Sequence, residues 1–320
     1  MELVFLGTGA GVPTTARNVT AIALTLWPER PEAWLFDCGE ATQHRLQQAR
    51  TSGGARVRAR QLRRIFLTHL HGDHLFGLPG LLGSRSFQGA VDPVTVYGPE
   101  GIRRYLEWTL EVSRTHLTYP LEIIEIRNAG VIHRDDRYEV RADWLDHTLP
   151  SLGYRVVERD RPGRLRTDRL RALGIPPGPL YGALKRGRPV PRPGGGMVHP
   201  RDVLDPPTPG RVLTVLGDTR PCAGAASLAR GADVLVHEAT FGSDRADLAP
   251  AFGHSTAADA ARTARDAGAR ALILTHISAR YDKDGAQRLL EEARAVFPDT
   301  VMAFDLWSYP IPASPAARAT

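Results

Sequence analysis

A chain of 320 residues is long enough to bury a large core as one α/β domain with insertions. Its 42% hydrophobic and 24% charged residues are those of an ordinary globular protein, and no apolar run approaches the roughly 18 residues of a membrane span, so disordered and membrane-spanning classes are excluded. Two cysteines, Cys38 and Cys222, exclude a disulfide framework or thiolate metal cage, and a start without a basic, long apolar leader predicts cytoplasmic residence with no membrane partner.

Apolar or β-branched runs predict strands over 2–6, 20–26, 34–36, 64–68, 94–97, 121–126 and 138–145, with helix-like spacing at 101–112 and 256–267. Ser255-Thr256 is placed to cap the second helix. This mixture indicates an α/β fold. Gly7-x-Gly9-x-Gly11 after the first strand lacks the G-x-G-x-x-G spacing and any Walker lysine, so no nucleotide cofactor is expected.

Directly after the fourth run, His69-Leu70-His71-Gly72-Asp73-His74 sets three imidazoles and a carboxylate within six residues. N and O donors at a strand end suit a borderline divalent cation. Three further candidates each follow a β-prone run: His147 after 138–146, Asp218 after 212–217 and His276 after 271–275. Singly, each reads more readily as a surface or hydrogen-bonded core residue than as a ligand. Jointly, they predict a metal site assembled along one edge of a sheet.

Residues 155–192 break the pattern. Ten arginines and Lys185 stand against Glu158, Asp160 and Asp168, a net of +8 that leaves −2 elsewhere. Localised positive charge favours a polyanion through counterion release. Pro176-Pro177-Gly178-Pro179 suggests an extended, protruding element, although a solvated basic loop fits as well. Pro310–Thr320, with three prolines and small residues, reads as a loosely held tail.

The H-x-H-x-D-H loop with His147, Asp218 and His276 resembles the metallo-β-lactamase superfamily, which implies an αββα sandwich with a two-metal site. More specifically, Phe5-Leu6-Gly7-Thr8-Gly9-Ala10-Gly11-Val12-Pro13, Phe36-Asp37-Cys38-Gly39-Glu40, His237-Glu238-Ala239-Thr240, Gly253-His254-Ser255-Thr256 and Thr275-His276-Ile277-Ser278-Ala279-Arg280-Tyr281 resemble ribonuclease Z, including the branch with ribonuclease BN. The resemblance implies a nuclease domain over 1–310, a flexible tRNA-gripping arm at 155–192, a disordered tail at 311–320 and a homodimer. It implies two divalent ions, Zn²⁺ first with Mn²⁺ or Co²⁺ also suited, held by His69, His71 and His147 on one side and Asp73, His74 and His276 on the other, with Asp218 bridging. Asp73 is by the same likeness the proton acceptor that orients water. His254, following Gly253 that permits close approach to a phosphate, is the candidate proton donor to the leaving 3′ oxygen, with Glu238 holding its ring.

The implied activity is endonucleolytic trimming of precursor tRNA after the discriminator base, leaving a tRNA 3′-hydroxyl and a trailer 5′-phosphate. Thr15 stands where the family's P-x-K-x-R-N loop has lysine, which puts rejection of CCA-bearing tRNA in question and leaves room for ribonuclease BN-like 3′ exonuclease activity. A small-molecule phosphodiesterase or lactonase of the same superfamily is the other enzymatic reading, and an RNA-binding protein with a vestigial site the non-catalytic one. Histidines 44, 116, 133 and 199 are assigned surface or capping places, and His237 a structural hydrogen bond.

Overall fold

In the computed structural model, which describes residues 1–313, two seven-stranded sheets face one another. The first runs in the order Ser308–Pro310, Glu2–Gly7, Ala21–Thr25, Ala33–Phe36, Leu62–Phe66, Val94–Gly98, Leu121–Glu125. The second runs Thr300–Met302, Leu272–Thr275, Val234–Glu238, Val212–Leu216, Ser151–Glu158, Tyr138–Leu145, Gly130–Arg134.

Side-chain alternation explains why these runs are apolar almost throughout. Val4, Leu6, Leu35, Ile65, Leu67 and Val96 point into a cluster with Leu46, Leu78, Leu81, Leu82 and Leu106 of the covering helices Thr42–Gln48, Leu78–Phe87 and Ile102–Val112. Their neighbours turn the other way. Phe36 and Phe66 stack with centroids 5.2 Å apart, and Phe66 lies 5.3 Å from Tyr154 of the second sheet, so aromatic rings fill the space between sheets. A second cluster, rich in alanine, lets helices Ala223–Ala229, Ala257–Asp266 and Lys283–Val296 close on the other side. Helix, sheet, sheet, helix is the expected αββα layering.

Thr256 caps the helix Ala257–Asp266, its hydroxyl accepting from Asp259 N at 3.1 Å, as its sequence position suggested. The chain end differs from expectation. Pro310 closes an edge strand against Glu2, and Ile311 is buried, because that strand extends the first sheet where Pro310 needs no inward N–H. The rest of the anticipated loose tail, from residue 314, lies outside the described residues. Among the described residues, no helix is long and apolar enough to cross a membrane.

The chain divides into two compact units, the larger holding both sheets. The smaller includes Asp136–Tyr138 and Val157–Arg211, so its main segment starts just past Arg155, which belongs to a sheet strand, and runs on beyond residue 192. It is not simply extended chain. Leu165, Leu170, Ile175, Leu184, Val190, Val198 and Val203 form an apolar centre of their own, wrapped by short helices Thr167–Ala172, Pro179–Lys185 and Pro200–Val203 and a two-stranded ribbon pairing Val190 with Val198.

Where this unit leaves and rejoins the chain, buried Glu158 accepts from Arg211 Nε at 2.6 Å and Nη2 at 3.0 Å, and from Arg137 Nη2 at 3.1 Å. Burial would raise the Glu158 carboxyl, but the guanidiniums, Arg211 foremost, outweigh it and hold it at about 2 against an ordinary 4.5. Because the folded value is depressed, its contribution to stability is present above pH 4.5 and is lost as pH falls through 2. We expect Glu158→Gln to destabilise this unit by about 3 kcal/mol at neutral pH. Hydrogen exchange of amides 157–211 should show the gap between parent and variant closing as the pH is lowered; a pH-independent gap would refute the ion-pair account.

Candidate metal centre

The catalytic candidates do not line one edge of one sheet, as the sequence suggested, but gather from strand ends of both sheets. His69, His71, Asp73 and His74 follow strand Leu62–Phe66 of the first sheet. His147, Asp218, Glu238 and His276 follow or end the second-sheet strands Tyr138–Leu145, Val212–Leu216, Val234–Glu238 and Leu272–Thr275. Facing sheets bring these loops together.

All seven candidate ligands converge. His69 Nε2 and His71 Nδ1 are 3.0 Å apart, and His147 Nε2 is 3.2 Å from the same His71 nitrogen. On the other side His74 Nε2 and His276 Nε2 are 3.1 Å apart, and Asp73 Oδ2 is 3.3 Å from His276 Nε2. Asp218 Oδ2 belongs to both groups, 3.6 Å from His69 Nε2, 3.4 Å from His74 Nε2 and 3.3 Å from His276 Nε2. A tetrahedral site with metal–nitrogen bonds near 2.0–2.1 Å has ligand–ligand edges of about 3.3 Å. The observed separations fit such edges on both sides of Asp218.

Hydrogen bonds on the outer ring atoms decide which nitrogen faces inward. His147 Nδ1 donates to the Gly253 carbonyl at 2.7 Å, and His74 Nδ1 to Asp37 Oδ2 at 2.8 Å. Thr68 donates its hydroxyl proton to Asp37 Oδ2, so its oxygen accepts from His69 Nδ1 at 3.0 Å. Thr240 likewise gives its proton to Glu238 Oε2 and accepts from His276 Nδ1 at 2.9 Å. Four imidazoles are thereby held as the tautomer whose Nε2 carries a lone pair, and those lone pairs point at one another. A metal cation between them, or a proton held on one nitrogen of a facing pair, removes the repulsion.

Electrostatics agree. Burial, then the neighbouring His74, holds His69 well below the usual imidazole range, and burial lowers His71 and His147. Burial would also depress His74, yet Asp218 and Asp37 lift it well above normal, marking a spot that favours positive charge. A metal ion competes for that spot with a proton.

Asp37, Thr68, Thr240 and the Gly253 carbonyl were not singled out from sequence as site residues. Asp37, Thr240 and Gly253 each stand inside a segment quoted above for its family likeness, which is the signal that could have found them, whereas Thr68 only ends a β-prone run. Gly253 has a use besides the expected approach to phosphate: at φ 78° a Cβ would meet His147 Nδ1 at 2.7 Å, so glycine lets His147 close onto the loop. Gly11, at φ 72°, donates its N–H to Asp73 Oδ2 at 2.7 Å, and a Cβ on Gly7 would meet the Val19 carbonyl oxygen at 1.8 Å, which accounts for the glycine-rich start without a phosphate loop.

His254 and Glu238 form a hydrogen-bonded pair, Nδ1 donating to Oε1 at 2.9 Å. That bond removes Nδ1 as a ligand atom even though it lies 3.9 Å from Asp218. Burial would lower the His254 imidazole, but Glu238 more than offsets it and carries it up to about 9. Its ring lines an open cleft with His71, Asp73, Asp218, His276, Phe241 and Phe252. His237 is buried, its Nδ1 bonded to the Glu238 carbonyl, a structural place. His199 begins the helix Pro200–Val203, and His133 packs edge-on to Trp34.

Residues 1–138 match the family model described as anti-Pycsar protein Apyc1. Curated relatives include ribonuclease Z of Geobacillus kaustophilus, 54% identical across 98% of this chain and 99% of the relative, and ribonuclease Z of Bacillus licheniformis, 52% identical across 97% and 99%. Among solved structures, human tRNase Z, short form (ELAC1), superposes with a TM-score of 0.70 at 30% identity, covering 98% of this chain and 100% of that one. The metallo-β-lactamase fold protein YhfI of Bacillus subtilis, at 17% identity and a TM-score of 0.65, shares the fold. With seven prospective ligands converged at the mouth of an αββα sandwich of the metallo-β-lactamase fold and this degree of identity over nearly its whole length, the chain belongs to the ribonuclease Z family.

Proposed function

We propose that this chain removes the 3′ trailer from precursor tRNA, hydrolysing the phosphodiester after the discriminator base to leave a tRNA 3′-hydroxyl and a trailer 5′-phosphate. The observation that carries it is Asp218 Oδ2, lying within 3.6 Å of nitrogens in both histidine groups, which suits a paired-cation centre of the kind phosphodiester hydrolysis uses. His69, His71 and His147 would hold one divalent ion, Asp73, His74 and His276 the other, with Asp218 between. Zinc suits the N/O donor set first, and Mn²⁺ or Co²⁺ are also compatible. When bound, the pair supplies an acidified water and neutralises charge on the phosphate.

The chain's own residues supply the rest. Asp73, its Oδ2 steadied by the Gly11 N–H, orients the attacking water and accepts its proton. Glu238 anchors His254 through Nδ1, leaving Nε2 to donate a proton to the departing 3′ oxygen. Thr219 N, at 3.0 Å, and the Thr240 hydroxyl keep Glu238 aimed at His254. The basic smaller unit would grip the tRNA body, with a homodimer presenting RNA held by one subunit to the other. Thr15, in place of the family lysine, favours a second activity, 3′ exonuclease trimming, which a CCA-ended substrate would reveal.

Purified protein should carry about two metal equivalents, and Asp37→Asn should weaken metal retention by about 10- to 100-fold through loss of the His74 hydrogen bond. Equal retention in parent and variant, read by elemental analysis after graded chelation, would remove Asp37 from the site. His254→Ala should lower turnover of 3′-extended tRNA by about 10²- to 10⁴-fold with metal content unchanged, and unimpaired turnover would exclude it as the acid. Excising residues 160–209 behind a short Gly-Ser link should spare hydrolysis of bis-p-nitrophenyl phosphate and abolish tRNA cleavage. Loss of both activities would give that unit a structural role instead.

A further inference from the structure

A second basic surface lies on the larger unit. Residues 41–64 contain seven arginines, at 45, 50, 56, 58, 60, 63 and 64, and no acidic residue. Four are committed: Arg45 pairs with Asp305 at 3.2 Å, Arg63 with Asp92 at 2.5 Å, Arg64 with Glu32 at 3.7 Å, and Arg50 donates to the carbonyls of residues 47–49. The other three behave differently. Val57 and Ala59 are buried in the core cluster beneath the first sheet, so the residues alternating with them, Arg56, Arg58 and Arg60, are turned outward. None of these three guanidiniums has a carboxylate partner among the described residues.

The surface is shaped as well as charged. A turn at 51–54, with Gly54 at φ 79°, folds Arg56 back into a bridge with Arg50. Arg56 and Arg58 then line a cavity of about 300 Å³ with Gln43, Gln47 and Gln88. Gln43 and Gln47, four apart, share a face of the helix Thr42–Gln48. Beside Gln88 the Phe87 ring is 96% exposed.

We propose that Arg56, Arg58 and Arg60, with the flanking amides and Phe87, form a second RNA-binding surface in addition to the arm; the proposal rests on the reading of the chain as a ribonuclease. Guanidiniums offer forked donors for phosphate oxygens, amides both donate and accept at sugar hydroxyls or base edges, and an exposed ring gives an unpaired base a stacking face. An acidic protein partner would leave the amides and the ring without a use. A second copy of the chain is disfavoured because a two-fold contact through this patch sets like charges against one another.

The test compares the parent with R56Q/R58Q/R60Q, with the corresponding triple lysine variant, and with F87A. It uses the full metal-loaded enzyme, binding of 3′-extended tRNA across a salt series, tRNA turnover, and hydrolysis of bis-p-nitrophenyl phosphate. Deprived of three phosphate-binding guanidiniums, the glutamine variant should bind tRNA about tenfold more weakly, and its log Kd against log salt slope should fall by about 2 to 3. Its ester hydrolysis should match the parent, the lysines should restore the slope, and F87A should weaken binding without changing the slope. Unaltered Kd and slope in the glutamine variant, beside a parent that cuts tRNA normally, would overturn this surface and leave the nuclease reading standing. A changed oligomeric state by sedimentation would overturn it in favour of a subunit interface. A parent that hydrolyses the ester but neither cuts nor binds tRNA would overturn both.

Discussion

Four imidazoles whose outer nitrogens are all occupied as donors are the constraint on which the rest of this structure depends. Gly253, Asp37, Thr68 and Thr240 each leave one histidine with no choice but to aim a lone pair inward. The acceptors are themselves buried and bonded: Asp37 Oδ1 accepts from Thr68 N at 2.7 Å, and Glu238, behind Thr240, accepts from Thr219 N. Arranging lone pairs face to face costs stability until a cation is bound, so the scaffold must be rigid enough to hold them. Aromatic rings stacked along the first sheet, with Phe66 packed at a tilt on Tyr154 of the second, supply that rigidity.

The same hydrogen-bond web joins the prospective metal site to the proton donor. Glu238 is shared: one oxygen takes the Thr240 hydroxyl that orients His276, the other takes His254 Nδ1. A single buried carboxylate thus positions a ligand and the candidate acid together. A change at Glu238 would therefore disturb both functions, whereas a change at His254 separates them.

Charge is distributed with equal economy. The smaller unit and the 41–64 segment concentrate the positive charge, leaving the remainder of the chain acidic. Many arginines are neutralised locally and serve packing, as Arg211 does with Glu158 and Arg45 with Asp305. Counting charge along the sequence finds basic segments. Deciding which guanidiniums remain available to a polyanion takes the folded neighbourhood of each.

Sequence by itself determined the strand and helix alternation, the candidate ligands and the His254–Glu238 pairing, because periodicity is local and because donor atoms clustered after β-prone runs have few structural uses. Tertiary structure decided what depends on contacts between distant residues. It made the site a meeting of two sheets, gave Asp37 and Thr240 their places behind His74 and His276, and made Gly253 a support for His147. It also gave the proline- and glycine-rich arm a small apolar centre, which no single short helix there announces, since seven scattered side chains form a core only when the chain folds back on itself. Hydrogen-bond partners and burial are set by packing across long sequence separations, and residue order alone does not encode them in readable form.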